Sequence, residues 1–247
     1  MKAAARFSIS VVTALALTAG AALADGQQPV RHLVYNFDVA FNTTSTIHDS
    51  GIGGGPVSGS TDYHAGAMDK GQIVVDVVTV QPDSGLVVRV SEQAHDTRSS
   101  VPTMCVAYGS GAVVCDQSHG DLNEEEMSLL RIIGRDFVNP SLIDSKHHWQ
   151  YAQSSSQAQE TNDYTINSTN GDVLGISFER VLKVEAGQPF NATTNGTITY
   201  NNKLSVPTAL TEDTVTRKDT GGGNYDRIEQ RISLNLTTDS MQTAVNH

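Results

Sequence analysis

The chain has 247 residues, with 16 Lys and Arg residues against 27 Asp and Glu residues, so its formal net charge is −11. Nucleic-acid binding needs clustered positive charge. This acidic chain has no basic stripe, which argues against a nucleic-acid-binding protein. Its 17% charged and 38% hydrophobic residues are untypical of a wholly disordered chain or a coiled coil. The length suits one large domain that can bury a core.

The first residues have the features of an export signal. Lys2 and Arg6 precede an apolar stretch over residues 7–17, and Ala22-Leu23-Ala24 supplies the small-x-small pattern that signal peptidase recognises. We therefore predict a signal peptide over residues 1–24, cleaved between Ala24 and Asp25. The alternative is an uncleaved anchor, but this stretch is barely long enough to span a bilayer and contains several polar residues. The short basic segment is typical of bacteria, so we predict a periplasmic or extracellular protein.

The next segments predict strands. Residues 33–41 alternate between apolar and polar side chains, which indicates a strand with one face in water. Residues 43–61 are rich in Gly, Ser and Thr and are predicted to form a mobile loop. Residues 72–80 and 86–93 are two β-branched runs joined by a Pro- and Gly-containing turn, which predicts a hairpin.

The two cysteines of the chain flank a second predicted hairpin. Glycines on either side of Ser110 favour a tight turn, and a hairpin centred there places Cys105 opposite Cys115. Directly opposed residues are close enough for a disulfide, which an oxidising compartment allows to form. The alternatives are a pair of free buried thiols or a two-cysteine metal site, and a metal site would need further ligands.

One helix is predicted among the strands, over residues 123–135. Asn123 is a favourable N-cap, and Glu126 stands where a reciprocal capping partner is expected. Met127, Leu130 and Ile133 lie on one apolar stripe, which must be buried. A helix of this kind among antiparallel strands is expected to lie across a sheet or to plug the end of a barrel.

Further strands are predicted over residues 148–153, 162–168, 173–184, 193–201 and 209–218, and around Ile228, Ile232 and Leu234. No repeat or linker divides the chain, so we predict one all-β domain over residues 25–247. It should contain about ten to twelve antiparallel strands in a curled half-barrel or a closed barrel, with one helix packed on it. This layout resembles that of the periplasmic half-barrels that carry lipids or lipoproteins.

The sequence contains no motif that predicts catalysis, a cofactor or a metal. Asp-Ser/Thr-Gly triplets at residues 49–51, 83–85 and 219–221 match the loop motif of aspartic proteases, but they lack the preceding hydrophobic strand and suit ordinary turns. Asp62 and His64 could share one face of a strand and one ion, yet no dense ligand cluster accompanies them. Solvated surface histidines are therefore the preferred interpretation.

The favoured functional hypothesis is an exported, non-catalytic protein that binds or carries an apolar or amphipathic ligand such as a lipid. The candidate cavity residues are Met127, Leu130, Ile133 and Trp149, although Trp149 also suits an ordinary core position. No nucleic-acid partner and no stable membrane insertion are expected. The alternatives are an outer-membrane β-barrel and an exported structural or interaction domain without a ligand cavity.

Overall fold

The computed structural model describes residues 28–48, 60–81, 85–94, 100–116, 122–135, 147–187 and 189–241, so the predicted cleavage site between Ala24 and Asp25 lies outside them. Eleven strands and one helix are found in these residues. In chain order they are β1 Arg31–His48, β2 Ser60–Gln81, β3 Gly85–Ala94, β4 Thr103–Ala107, β5 Val113–Cys115, α1 Glu124–Leu130, β6 His148–Ser154, β7 Ala158–Asn170, β8 Val173–Val184, β9 Phe190–Asn201, β10 Val206–Gly221 and β11 Asn224–Asp239.

The strands form a single antiparallel sheet in the order β5-β4-β3-β2-β1-β11-β10-β9-β8-β7-β6. Strands consecutive in the chain pair with each other on either side of α1, and the first and last strands pair at the centre. The sheet is curled and does not close into a barrel. The predicted all-β, antiparallel fold is confirmed, and of the two forms considered the curled sheet is the one observed.

Two predicted boundaries are wrong. Residues 43–48 and 60–61 belong to strands β1 and β2, where a loop was expected, because Thr and Ser accept extended backbone when a partner strand satisfies their amides. Helix α1 ends at Leu130, and residues 131–134 form turns. Gly134 has a φ of +71°, and a Cβ atom at this position would lie 2.6 Å from Leu86 Cδ1, so both conformation and space favour glycine.

The cysteine hairpin is confirmed. Cys105 and Cys115 are directly opposed on β4 and β5 and form a disulfide, with a Cα–Cα distance of 4.0 Å. The turn between them closes through a 2.9 Å hydrogen bond from the Tyr108 N–H to the Ala112 carbonyl, and Gly111 has a φ of +88°. The covalent bond therefore fastens an edge of the sheet.

Helix α1 packs on the concave face of the sheet. Leu129, Leu130 and Ile133 are fully buried in the core. The Gly134 N–H donates a 2.9 Å hydrogen bond to the Ser205 carbonyl, which ties the turn after the helix to the β9–β10 connection. As the capping pattern predicts, the Asn123 N–H donates to Glu126 Oε2 at 2.9 Å. The described helix is too short to cross a membrane.

Candidate ligand-binding face

The strand register divides the concave face of the sheet into two halves. We call the part beneath α1 the covered half; one of its rows across the sheet runs through Phe37, Leu234, Leu210, Ile198 and Ile176. We call the part beyond α1 the open half. Its inward positions are Phe41, Thr43, Ile228, Gln230, Thr214, Thr216, Ala192, Thr194, Leu182 and Val184.

The covered half is a dry core. The five residues of its central row are between 1% and 3% exposed, and Tyr35 and Tyr200 beside them are fully buried. The Tyr35 hydroxyl donates a 2.9 Å hydrogen bond to the Pro207 carbonyl, and the Tyr200 hydroxyl donates to the Arg135 carbonyl. The buried hydroxyls are thus satisfied, and this half is a packed interior.

The open half is only partly shielded from water. On β10, the inward residues Thr214 and Thr216 are half-buried, whereas their outward neighbours Asp213, Val215 and Arg217 are exposed. The same inward positions on neighbouring strands carry apolar side chains, among them the half-buried Leu182 and Ile228. Hydroxyl and aliphatic side chains are therefore mixed on this surface, where Thr194 and Ala192 of β9 are buried and the other inward positions are half-buried.

A group of charged and polar side chains, here called the polar belt, lies where the two halves meet on strands β7, β8 and β10. It comprises Glu160, Asn162, Arg180 and Glu212 of the sheet, together with Arg131 and Arg135 after α1. Glu212 is 2% exposed and accepts a 2.7 Å hydrogen bond from the Ser128 hydroxyl of α1. Its carboxylate also lies 3.6 Å from the Arg180 guanidinium, which donates to Thr194 at 3.3 Å.

The belt continues towards β6 and β7. Burial alone would raise the pKa of the Glu160 carboxyl, but the hydrogen bond from Asn162, the charge of Arg131 and the hydrogen bond from Gln153 together lower it. Burial and the neighbouring Arg180 lower the pKa of Arg131. The Glu160 carboxyl therefore favours its ionised form beside the Arg131 guanidinium.

Arg135 joins the two sides of the curled sheet. Its guanidinium donates to the Ser110 carbonyl in the β4–β5 turn at 2.7 Å and to the Tyr164 hydroxyl on β7. Its Cζ atom lies 4.6 Å from the centre of the Tyr164 ring, and that ring stacks on Trp149 and Phe178. Arg135 therefore links the β4–β5 turn near one edge of the sheet to β7 near the other edge.

A cavity of about 20 Å³ lies within the belt, lined by both Arg131 and Arg135, by Glu160 and Glu212 and by the Ser110 turn. Such a volume accommodates about one water molecule, whereas pockets for organic ligands measure roughly 300–1,000 Å³. The apolar cavity expected beneath the helix stays a prediction. In the described residues Leu130 and Ile133 are packed in the core, and the cavity beside them is small and lined mainly by polar side chains.

The four predicted cavity residues have different positions. Leu130 and Ile133 belong to the core, Met127 is half-buried on α1, and Trp149 is half-buried on β6 with its ring 5.3 Å from that of Tyr164. None of the four lines the cavity in the belt. The inward-pointing charges of the belt were missed by sequence analysis. A signal was present on β8, where Arg180 occupies a position of the two-residue period that otherwise places apolar side chains such as Phe178 and Leu182 inward.

A second cluster of polar groups joins α1 to β3. Glu92, Glu125 and Glu126 are all buried, and the Asn123 side-chain amide donates to Glu92 Oε2. Burial and the nearby Glu92 carboxyl raise the pKa of Glu125 to about 8, and burial raises that of Glu126 to about 7. The Glu125 carboxyl is therefore mostly protonated at neutral pH, whereas the Glu126 carboxyl is about half protonated.

The other residues noted in the sequence do not come together as a catalytic centre. Asp219 lies exposed at the end of β10, 3.5 Å from Arg217, and the triplet at residues 49–51 lies outside the described residues, as do two residues of the triplet at 83–85. His64 lies on exposed β2 with Nδ1 3.1 Å from the Thr44 hydroxyl. Across the described ranges, no group of three or more His, Cys, Asp or Glu residues is arranged to hold a metal.

The chain has a distant similarity to a solved structure, whereas two other comparisons found no match. No family model matches the chain, and no curated protein matches it. A solved structure titled "Lipid-protein interactions in lipovitellin" superposes with a TM-score of 0.46 at 10% sequence identity. The match covers 87% of this chain and 26% of the lipovitellin chain, so this chain spans about a quarter of that protein.

Proposed function

We propose that this is an exported, non-catalytic binding protein that holds an elongated amphipathic molecule, such as a single-chain lipid, along the open half of its concave face. The observation that carries the proposal is the contrast in exposure on β10, where inward residues are half-buried and outward residues are exposed. A curled sheet with an accessible inner face offers a concave site. Export is supported by the pattern of residues 1–24 and by the disulfide.

The chemistry of the open half suits a ligand with both polar and apolar parts. Ile228, Leu182 and Val184 supply aliphatic surface, and the Thr194 and Thr214 hydroxyls lie 2.9 Å apart beside the belt. The polar end of a ligand would meet Arg180 and its neighbours, where a guanidinium and hydroxyls can donate hydrogen bonds. A wholly apolar ligand would shield these groups from water without forming a hydrogen bond to them, and it is therefore disfavoured.

The experiment is a titration of the purified exported protein with a fatty acid that carries a dansyl group, followed by fluorescence and checked by native mass spectrometry. We expect saturable, one-to-one binding. Ile228→Glu places a charge on the inward face and should weaken binding roughly tenfold or more. Val215→Glu, on the outward face of the adjacent strand and 37% exposed, should bind as the unsubstituted protein does.

Two results would overturn the proposal. The first is the absence of saturable binding by natively folded protein for both the dansyl fatty acid and a lysophospholipid. The second is an equal loss of binding in the inward and outward variants, because a site on the open half must distinguish the two faces.

A further inference from the structure

Strand β2 has a long side that no described strand covers. Residues Ser60–Val77 pair with β1 without a break in register, whereas β3 pairs with β2 from Gly71 onwards. In the described part of the chain, residues 60–70 thus have a strand on one side only. All of these residues except Asp69 are exposed, and Tyr63 and Met68 are 60% and 70% exposed.

The register shows which backbone groups lie on this open edge. The Val77 carbonyl accepts a 2.8 Å hydrogen bond from the Val30 N–H and therefore points towards β1. Because the direction alternates along an antiparallel strand, odd-numbered residues of β2 direct their amides to β1 and even-numbered residues direct theirs outwards. The outward groups are those of Asp62, His64, Gly66 and Met68; the Lys70 N–H is satisfied by Asp69 Oδ1 at 2.8 Å.

The edge lacks most of the devices that prevent strand pairing. Residues 60–70 contain no proline and run without a bulge in the β1 pairing, and their only charged residues are two acids and one lysine. An exposed edge of this length, with large apolar side chains and little net charge, is a template for another strand. The near-neutral edge also reduces the repulsion expected between copies of a chain whose net charge is −11.

We infer that this edge is an interaction surface for a second copy of the chain, with the two β2 strands paired antiparallel about Gly66. In this register Gly66 faces its own copy, His64 faces Met68 and Asp62 faces Lys70. Opposite charges therefore meet twice and no like charges are opposed. The nine residues from Asp62 to Lys70 span about 30 Å, and the two sheets become one continuous sheet. This inference does not depend on the proposed ligand site.

The charge pairing requires only small adjustments. Lys70 Nζ bonds to Asp38 and Asp62 accepts a 2.7 Å bond from the Thr46 hydroxyl. The Lys70–Asp38 pair is about half exposed on both sides, so the ammonium group is free to contact a second carboxylate. A carboxylate has several acceptor positions, so Asp62 can keep Thr46 while it accepts from lysine.

The test is sedimentation velocity over a wide concentration range, combined with residue-resolved hydrogen exchange. We expect a reversible dimer, with the amides of His64, Gly66 and Met68 exchanging more slowly as concentration rises. Met68→Pro removes an outward N–H group that makes no hydrogen bond to β1. This substitution should raise the dimer dissociation constant roughly tenfold or more. Met68→Gln keeps that N–H and is the matched control; His64→Pro is a second variant, in case the first does not fold.

Each contrary result overturns the inference. A protein that sediments as a monomer at every concentration has no such interface. This holds even if its β2 edge binds unrelated extended peptides. A dimer that persists in both folded proline variants has its interface elsewhere. Protection of the three amides that is independent of concentration would mean that the edge is covered within one chain.

Discussion

The two halves of the concave face are built from the same strands but differ in what fills them. In the covered half every inward position of the central row is apolar, and α1 excludes water with Leu129, Leu130 and Ile133. In the open half threonines are mixed with aliphatic residues, and no described helix lies over them. Buried apolar packing is thereby concentrated at one end of the sheet, whereas the other end is only partly buried.

The largest expected effect compares one leucine from each half. Leu130→Ala in the covered half should lower the free energy of unfolding by about 2–5 kcal/mol, because it leaves a cavity in a packed core. Leu182→Ala in the open half should cost about 1 kcal/mol, because its side chain is only half-buried. Chemical denaturation followed by circular dichroism measures both. Equal losses would show that the two halves do not differ as described.

The next effect concerns the belt between the halves. Glu212→Ala removes the partner of Ser128 and the counter-charge of Arg180, and should cost about 3 kcal/mol because a buried guanidinium loses a partner. Asp213→Ala is the matched control on the outward face, where its pair with Arg231 is exposed. Denaturation of this control should not differ measurably from that of the unsubstituted protein. A stable Glu212→Ala variant would mean that the belt does not join α1 to the sheet.

The disulfide tests how firmly the covered half is held at its edge. Replacing both Cys105 and Cys115 by Ser should lower the free energy of unfolding by about 2–3 kcal/mol, the value expected for a short closed loop. It should also loosen the Ser110 turn that accepts from Arg135. Thermal unfolding with and without reductant gives the same comparison in the natural sequence. No change on reduction would contradict a stabilising role.

A further expected effect is the pH dependence of stability at helix α1. The pKa of Glu125 is raised to about 8 and that of Glu126 to about 7, so between pH 4.5 and 8 the folded protein holds protons that the unfolded chain has lost. Their contribution is therefore fully present below about pH 4.5 and is lost as the pH rises towards 8. Glu125→Gln should flatten this part of a stability profile measured by denaturation. The assignment would be contradicted if the stability of the natural sequence rose over this range, or if the variant had the same slope as the natural sequence.

Local patterns in the sequence were sufficient to predict most strands, the start of the helix and several contacts between them. The alternation over residues 33–41 predicted the buried face of β1, since a strand has a two-residue period. The glycines around Ser110 predicted the register that joins Cys105 to Cys115. Asn123 and Glu126 predicted the start of α1, because capping depends on residues close in the chain.

The tertiary structure decided what distant residues do together. The sequence did not show that β1 pairs with β11, which brings Phe37 beside Leu234, or that Ser128 meets Glu212 across 84 positions. The apolar stripe of α1 also could not indicate whether Leu130 and Ile133 would line a cavity or pack in a core. That outcome depends on the volume between helix and sheet, which is set by the curl of eleven strands and by side chains far apart in the chain. Local periodicity thus determined which faces were apolar, whereas three-dimensional packing determined which half was closed and which stayed open.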